Sequence, residues 1–256
     1  MSELFSIQLQ NQQQQGRDGV WLDLPTTTEQ LQAALRQIGI SSDNPQGLFI
    51  SGYFAEEEKR FAISYNMVLA SNVDELNFLA SRLETLSTGE RAELNAALQA
   101  PQSELFSIGR ITDFPENVEY YVHLPDVHGP AQLGDYYLNR SGMVDMPEEW
   151  KGGIDTAQFG RYVAQQEQGA FTECGYLVKS GDAWQKVHEG QPVPEEYRVL
   201  SFPAPEVLRD SANIPPPVQP ETEPQKVIPI ILNGKDSVER MKEITDRLET
   251  GIQQLF

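Results

Sequence analysis

The sequence predicts an α+β protein assembled from small modules, and three observations carry that expectation. Apolar and polar residues alternate in short stretches within the first fifty-odd residues, which is the period of half-buried strands. Apolar residues recur at intervals of three and four between Val73 and Leu98, which is the period of helices buried on one side. Strand and helix signals are then mixed from Asp113 onward, up to a Pro-rich stretch at about Ser201.

Residues 3–10 (ELFSIQLQ) and Val20–Leu24 alternate as two strands, joined by the Gln-rich polar stretch Asn11–Gly19. After Pro25, Thr26 stands three residues before Glu29 in capping-box spacing. Leu31, Ala34, Leu35 and Ile38 then give one face of a helix that ends at Gly39. Gly47–Phe54 reads as a third strand. Ser71–Glu75 opens a helix with acids in its first turn, where the helix dipole favours them, and Val73, Leu76, Leu79, Leu83 and Leu86 form its stripe. A second capping box, Ser87 to Glu90, starts a helix with Leu94, Ala97 and Leu98 on one face until Pro101 interrupts it. Further on, the pattern predicts a strand over Val118–Leu124, a helix over Ala131–Asn139 and a late strand over Ala170–Lys179. Seven prolines between Pro203 and Pro224 mark an extended linker. Beyond it, Val227–Leu232 is a short apolar run, and from Asp236 an amphipathic helix carries Val238, Met241, Ile244, Leu248 and Leu255 on one side. The expected modules are therefore residues 1–58 (αβ), 59–112 (mainly helical) and 113–200 (αβ), then a linker at 201–226 and a strand/helix segment at 227–256.

Composition narrows the function. The 256 residues hold 38 Asp and Glu against 19 Lys and Arg, a net charge of −19, which excludes a nucleic-acid binder that works by neutralising phosphates. Charges or prolines break every apolar run before the ~18 to 20 residues of a membrane helix, so no membrane is expected. The opening MSELFSIQLQ has an acid where a signal peptide has its basic region, so a cytoplasmic location is expected. Cys174 is the single cysteine, which excludes an intrachain disulfide and a multi-thiolate metal site.

Catalytic signatures are thin. There is no phosphate-binding G-x-x-x-x-G-K-[ST], no G-x-G-x-x-G, no H-E-x-x-H and no C-x-x-C. His123, Asp126 and His128 lie close in sequence, but Pro125 falls between them and no third strong ligand has defined geometry. Cys174 beside Gly175 and Tyr176 fits a small buried residue better than a nucleophile. The pairs Glu148–Glu149 and Glu195–Glu196 fit solvated surface better than acid/base catalysis. The expectation is a protein that is not an enzyme and uses no cofactor and no metal.

The charge sits on the folded modules. Residues 1–200 hold 29 acids and 13 bases, whereas residues 201–256 hold 9 and 6. Acidity in this chain is therefore not the property of a disordered tail. With one charge per ~1.7 Å of duplex axis, sixteen net charges match roughly 27 Å of B-form DNA, and a dimer's charge matches roughly 54 Å. Mimicry of DNA is arithmetically feasible.

An ordered series of segments resembles antirestriction proteins of the ArdA type, from conjugative elements. It runs from Gly19-Val20-Trp21-Leu22-Asp23-Leu24-Pro25 through Asp74-Glu75-Leu76-Asn77 to Gln132-Leu133-Gly134-Asp135-Tyr136-Tyr137. Ser141-Gly142-Met143-Val144 with Pro147-Glu148-Glu149 follows, then Ile154-Asp155 with Phe159-Gly160-Arg161, and Gly169-Ala170-Phe171-Thr172 before Gly175-Tyr176. The resemblance covers about residues 5–180. It implies an elongated acidic dimer that occupies the DNA-binding groove of type I restriction–modification enzymes and inhibits them, without contacting nucleic acid directly. Under it, the phosphate-mimicking surface comprises Asp74, Glu75, Glu84, Glu90, Glu93, Glu104, Asp113, Glu116, Glu119, Asp126, Asp135, Asp145, Glu148 and Glu149. Ile154, Asp155, Phe159, Gly160 and Arg161 match the family segment associated with dimerisation and antirestriction, so the module at 113–200 is expected to form the homodimer. The family often has Asp next, where this chain has Tyr162. The segment Glu243–Glu249 is similar to the opening of the N-terminal domain of ArdC-type proteins. The alternative is an acidic interaction module of a conjugation apparatus, with a basic partner other than a restriction enzyme.

Overall fold

Alternation in β1 (Phe5–Asn11) gives that strand one apolar face: Phe5, Ile7 and Leu9 are buried, while Gln8 and Gln10 on the other face remain half-buried. It lies between β2 (Val20–Leu24) and β3 (Leu48–Phe54) in an antiparallel sheet of order β2-β1-β3, with a bulge at Gln8/Leu9. These strands belong to a computed structural model that describes residues 4–14, 18–41, 44–56, 60–101 and 103–200. The Pro-rich linker and the C-terminal strand and helix read from the sequence lie outside the described residues. The fold is α+β, and the described residues form two compact units.

The first unit comprises the described residues within Met1–Arg91, Glu104–Glu116 and Gln185–Gln225. Helix α1 (Thr28–Gln37) buries Leu31, Ala34 and Leu35, each Leu contributing about 2 kcal/mol of burial. Its capping box falls one residue later than the sequence spacing suggests: Thr27 caps the Gln30 amide, and the Gln30 side chain accepts from the Thr27 amide at 3.0 Å. The shift has a cause, because the Thr26 amide is already used in a 2.7 Å bond to Asn77 Oδ1. Then come α2 (Tyr65–Leu69), α3 (Val73–Glu84) and α4 (Thr88–Gln99), the last continuing past the unit's boundary, and α5 (Ile108–Thr112). The Ser87–Glu90 capping box forms as spaced.

Residues 185–200 return as a strap across α3 and α5. Asp113, at the end of α5, accepts the amides of Val187, His188 and Glu189 at 3.3, 2.6 and 3.2 Å. Asp74 accepts those of Val199 and Leu200 at 2.7 and 2.9 Å, and Asn77 Nδ2 donates to the Tyr197 carbonyl at 2.9 Å. Between these anchors the Phe78 ring packs on the rings of His188 and Tyr197, with centroids at 5.0 and 4.7 Å.

The second unit comprises Ala92–Ser103 and Asn117–Trp184, as far as they are described. Its sheet has the order β4-β6-β5, from β4 (Tyr121–Leu124), β5 (Ala170–Thr172) and β6 (Gly175–Lys179). Three elements differ from the sequence pattern. Residues 118–120 form a 3-10 turn before β4, with the Tyr120 amide bonded back to Asn117. The late strand is a hairpin, because the Thr172 hydroxyl bonds to the Cys174 amide and the Gly175 carbonyl, and Gly175 has φ +121°. The helix expected over 131–139 is α6 (Pro130–Asp135) continued by a π-helical turn over Tyr136–Arg140, closed by the Ser141 amide on the Tyr136 carbonyl. Helices α7 (Glu148–Lys151) and α8 (Thr156–Glu167) follow, and Val127, Leu133, Tyr137, Val163, Tyr176 and Val178 form the core.

Helices α6 and α8 cross with almost no space between backbones. A Cβ on Gly160 would lie 1.8 Å from the Pro130 carbonyl oxygen, and one on Gly134 would lie 1.9 Å from that of Thr156. Gly160→Ala should therefore gain up to ~1 kcal/mol of helix propensity but lose more, about 3 kcal/mol, because the atoms in the way are backbone. Urea denaturation monitored by circular dichroism reads the difference, and a neutral or stabilised Gly160→Ala protein would contradict the crossing.

Candidate functional site: the acidic surface

A carboxylate can present charge to a partner only if it faces water and is not already neutralised, and the fourteen acids divide on that criterion. Asp113 is fully buried and Asp74 nearly so. Both were expected on the surface, and the structure corrects this: their oxygens are occupied by five strap amides. Burial pushes the Asp74 carboxyl above its usual range, while the Leu200 and Val199 amides pull it back.

Four more acids sit beside a base. Glu116 pairs with Arg82, Glu104 with Arg110 at 2.9 Å, Asp135 with Arg140 at 3.0 Å and Glu148 with Lys151 at 2.7 Å. Arg110 is shared with Glu189 at 3.2 Å. Two acids are engaged as helix caps. Glu75 accepts from the Asn72 amide at the start of α3, and Glu90 accepts from that of Ser87, a bond that with the Ser87 side chain holds the Glu90 carboxyl below its usual range. Glu84 and Glu93 are half-buried. Glu119, Asp126, Asp145 and Glu149 are left, all exposed, all in the second unit, and without an ion pair among the described residues. That unit's stretch 117–184 holds ten acids against four bases.

The segment expected at the dimer contact divides likewise. Asp155 is the N-cap of α8, accepting the Ala157 and Gln158 amides at 2.9 and 3.0 Å. Phe159 packs on the unit's own core, Gly160 makes the close crossing with α6, and Ile154 is half-buried. Close approach and aromatic packing are thus used inside the unit. Arg161 is exposed, on a helix face with Gln158, Tyr162 and Gln165, and Trp150 on α7 is 68% exposed. Trp150 carries no periodic signal in a four-residue helix, so pattern reasoning passes over it.

Glu167 is also absent from the sequence expectations. It is buried, and its two oxygens accept the hydroxyls of Tyr137 and Tyr176, the latter at 2.9 Å. Burial pushes its carboxyl up, and the two hydroxyl donors partly offset this. The three residues are 30 and 9 positions apart, a spacing that announces nothing in a linear pattern. Cys174 is half-buried, its thiol raised by burial, and His123 Nε2 lies 2.7 Å from the Cys174 carbonyl. Among the described residues no group of three or more His, Cys, Asp or Glu is arranged to hold a metal, and no helix is long and apolar enough to cross a membrane.

Fold and surface together define a class: an acidic α+β protein whose unneutralised carboxylates are spread over a surface instead of converging on a cavity. The model of the antirestriction protein family ArdA matches residues 15–178, and the chain belongs to that family. No curated protein matches it. The strap at 185–200 lies beyond the matched residues.

The two kinds of carboxylate should respond oppositely to removal. Asp113→Ala leaves three amides without their charged acceptor and should cost about 3 kcal/mol of stability. Glu149→Gln should stay within about 0.5 kcal/mol. Thermal unfolding of both variants checks this, and equal effects would contradict the division.

Proposed function

We propose that this antirestriction protein acts as a DNA mimic that occupies the DNA-binding groove of a type I restriction–modification enzyme. The observation that carries the reading is the set Glu119, Asp126, Asp145 and Glu149: exposed carboxylates, unpaired among the described residues, in a stretch where acids outnumber bases ten to four. A groove built to neutralise phosphates with Lys and Arg meets the same sign of charge on this surface. The residues that perform this task are the exposed acids of the second unit, with Glu75, Glu84, Glu90 and Glu93 contributing to the wider field. Asp74 and Asp113 are not among them.

Binding to a type I methyltransferase core should weaken steeply with added salt and compete with duplex DNA. Neutralising Glu119, Asp126, Asp145 or Glu149 singly should cost about 1 kcal/mol or less, and all four together about 2 kcal/mol, near thirtyfold in affinity. A salt titration with DNA competitor measures this. Salt-insensitive binding, or full-affinity binding with DNA already in place, would overturn the mimic.

We further propose that the protein works as a homodimer through the exposed side of α8. Arg161 and Tyr162 are of the residue types that anchor interfaces, and their side chains are not consumed by the unit's core. Arg161→Glu with Tyr162→Ala should shift the protein toward monomer in sedimentation velocity while its circular dichroism stays unchanged. An unaltered dimer would place the contact elsewhere.

A further inference from the structure

Trp150 is 68% exposed, more than any other large apolar residue among those described, although an indole is one of the largest apolar groups that a core can bury. Its backbone is nevertheless fixed. The Trp150 amide donates to the Pro147 carbonyl at 3.0 Å, and the Trp150 carbonyl accepts from the Gly153 amide at 3.0 Å. On the next residue the side chain turns inward: that of Lys151 is only 16% exposed, and its Nζ donates to Glu148 at 2.7 Å. The turn thus holds an indole in water on a backbone that is already ordered, which lowers the entropy cost of binding a partner through it. Exposed acids precede it in the chain (Asp145, Glu148 and Glu149) and one follows it (Asp155). Among the described residues only Glu148 of these four pairs with a base.

We propose that Trp150 anchors the contact with the target, its indole entering the pocket that receives an extruded base. Such an anchor rests on the DNA mimic proposed above and gives it a base to accompany its phosphates. A methyltransferase cannot reach a ring atom inside a duplex, so its DNA-binding groove has a pocket that takes one nucleotide out of the stack and grips the base between aromatic or apolar side chains. Around that pocket the groove carries the cations that neutralise the flanking phosphates. A flat two-ring indole among carboxylates offers the same combination of groups. Charge complementarity selects this partner over the others that an exposed aromatic could take. A nucleic acid is repelled by the acids, and a second copy meeting the indole on this face would bring the same carboxylates together across a twofold axis. Tryptophan is also a residue type that carries a large share of binding energy when it fills a desolvated pocket inside a polar rim.

Two measurements on the full chain with a type I methyltransferase core test the anchor. In a salt titration with duplex DNA as competitor, Trp150→Ala should weaken binding about thirtyfold, and by the same factor at every salt concentration, because an indole has no charge to screen. Trp150→Phe, which keeps a flat ring, should recover most of that loss. In the chain labelled with 5-fluorotryptophan, the Trp150 fluorine resonance is assigned by Trp→Phe replacement, and its shift between H2O and D2O reports access to water. That shift should match a free indole in the protein alone and vanish in the complex. The resonance should also move when S-adenosylhomocysteine is added, since a methyl donor must lie against the base that accepts the methyl group. A Trp150→Ala protein that binds like the parent overturns the anchor and leaves the mimic standing, whereas an unmodified chain that does not compete with DNA overturns both. A resonance shielded in the complex but indifferent to S-adenosylhomocysteine puts the indole outside the base pocket and overturns the proposal. Shielding in the free protein that grows with its concentration also overturns it, since a second copy would then cover Trp150.

Discussion

A buried hydrogen-bonding group must find a partner, and in the first unit that requirement fixes the course of the chain. Asp74, Asn77 and Asp113 sit at the ends and on the inner side of short helices, where their oxygens would be stranded without donors. Six backbone amides, from Thr26, Val187, His188, Glu189, Val199 and Leu200, supply those donors. Through Asn77 alone, the turn after β2, the helix α3 and the strap are joined in one polar contact. The rings of His188 and Tyr197 on Phe78 add the apolar part, but the strap has no regular sheet or helix pairing of its own over most of its length. Its position depends on the anchors.

The same physics explains why acidity and function cannot be equated residue by residue in this protein. An Asp at a helix end that captures backbone amides contributes to folding, and one exposed on a loop contributes to the external field. Both count equally in a net charge of −19. Proximity of a base removes others from the field, as with Glu148 beside Lys151 and Asp135 beside Arg140. Of the fourteen acids expected on the surface, those left exposed and unpaired among the described residues lie in the second unit, whose own core is held by a two-glycine helix crossing and a buried Glu167 between two tyrosines, while Glu29, Glu195 and Glu196 of the first unit are exposed as well. Antirestriction is the activity of the family, and in the proposed mimic it is this surface, carried on that interior, that meets the target.

Much of the fold was legible because it is local. The strands Phe5–Asn11, Val20–Leu24 and Leu48–Phe54 follow from alternation, and α3 and α4 from stripes and caps. Where the pattern misled, a side chain that periodicity does not weigh decided: the distant Asn77 takes the Thr26 amide and moves the α1 cap to Thr27, and the local Thr172 hydroxyl, bonded two and three residues on, folds the expected long strand into a hairpin. The site was less legible. Sequence lists acids but not their burial, so Asp74 and Asp113 were grouped with Glu149 although amides more than seventy residues away fill their oxygens. Gly160 illustrates the same limit, since a glycine suited to close approach does not say whether the approaching backbone is α6 of its own unit or a second chain.

In the proposed mode of inhibition the exposed acids of the second unit face the target, while the buried Asp74 and Asp113 hold the strap. Hydrogen–deuterium exchange of the full chain, free and bound to a type I methyltransferase core, tests it most directly. New protection is expected in peptides covering Glu119, Asp126, Asp145 and Glu149, with the strap peptides over 185–200 exchanging as in the free protein. Protection confined to the strap and the helices that carry Asp74 and Asp113, with the second unit unchanged, would contradict it.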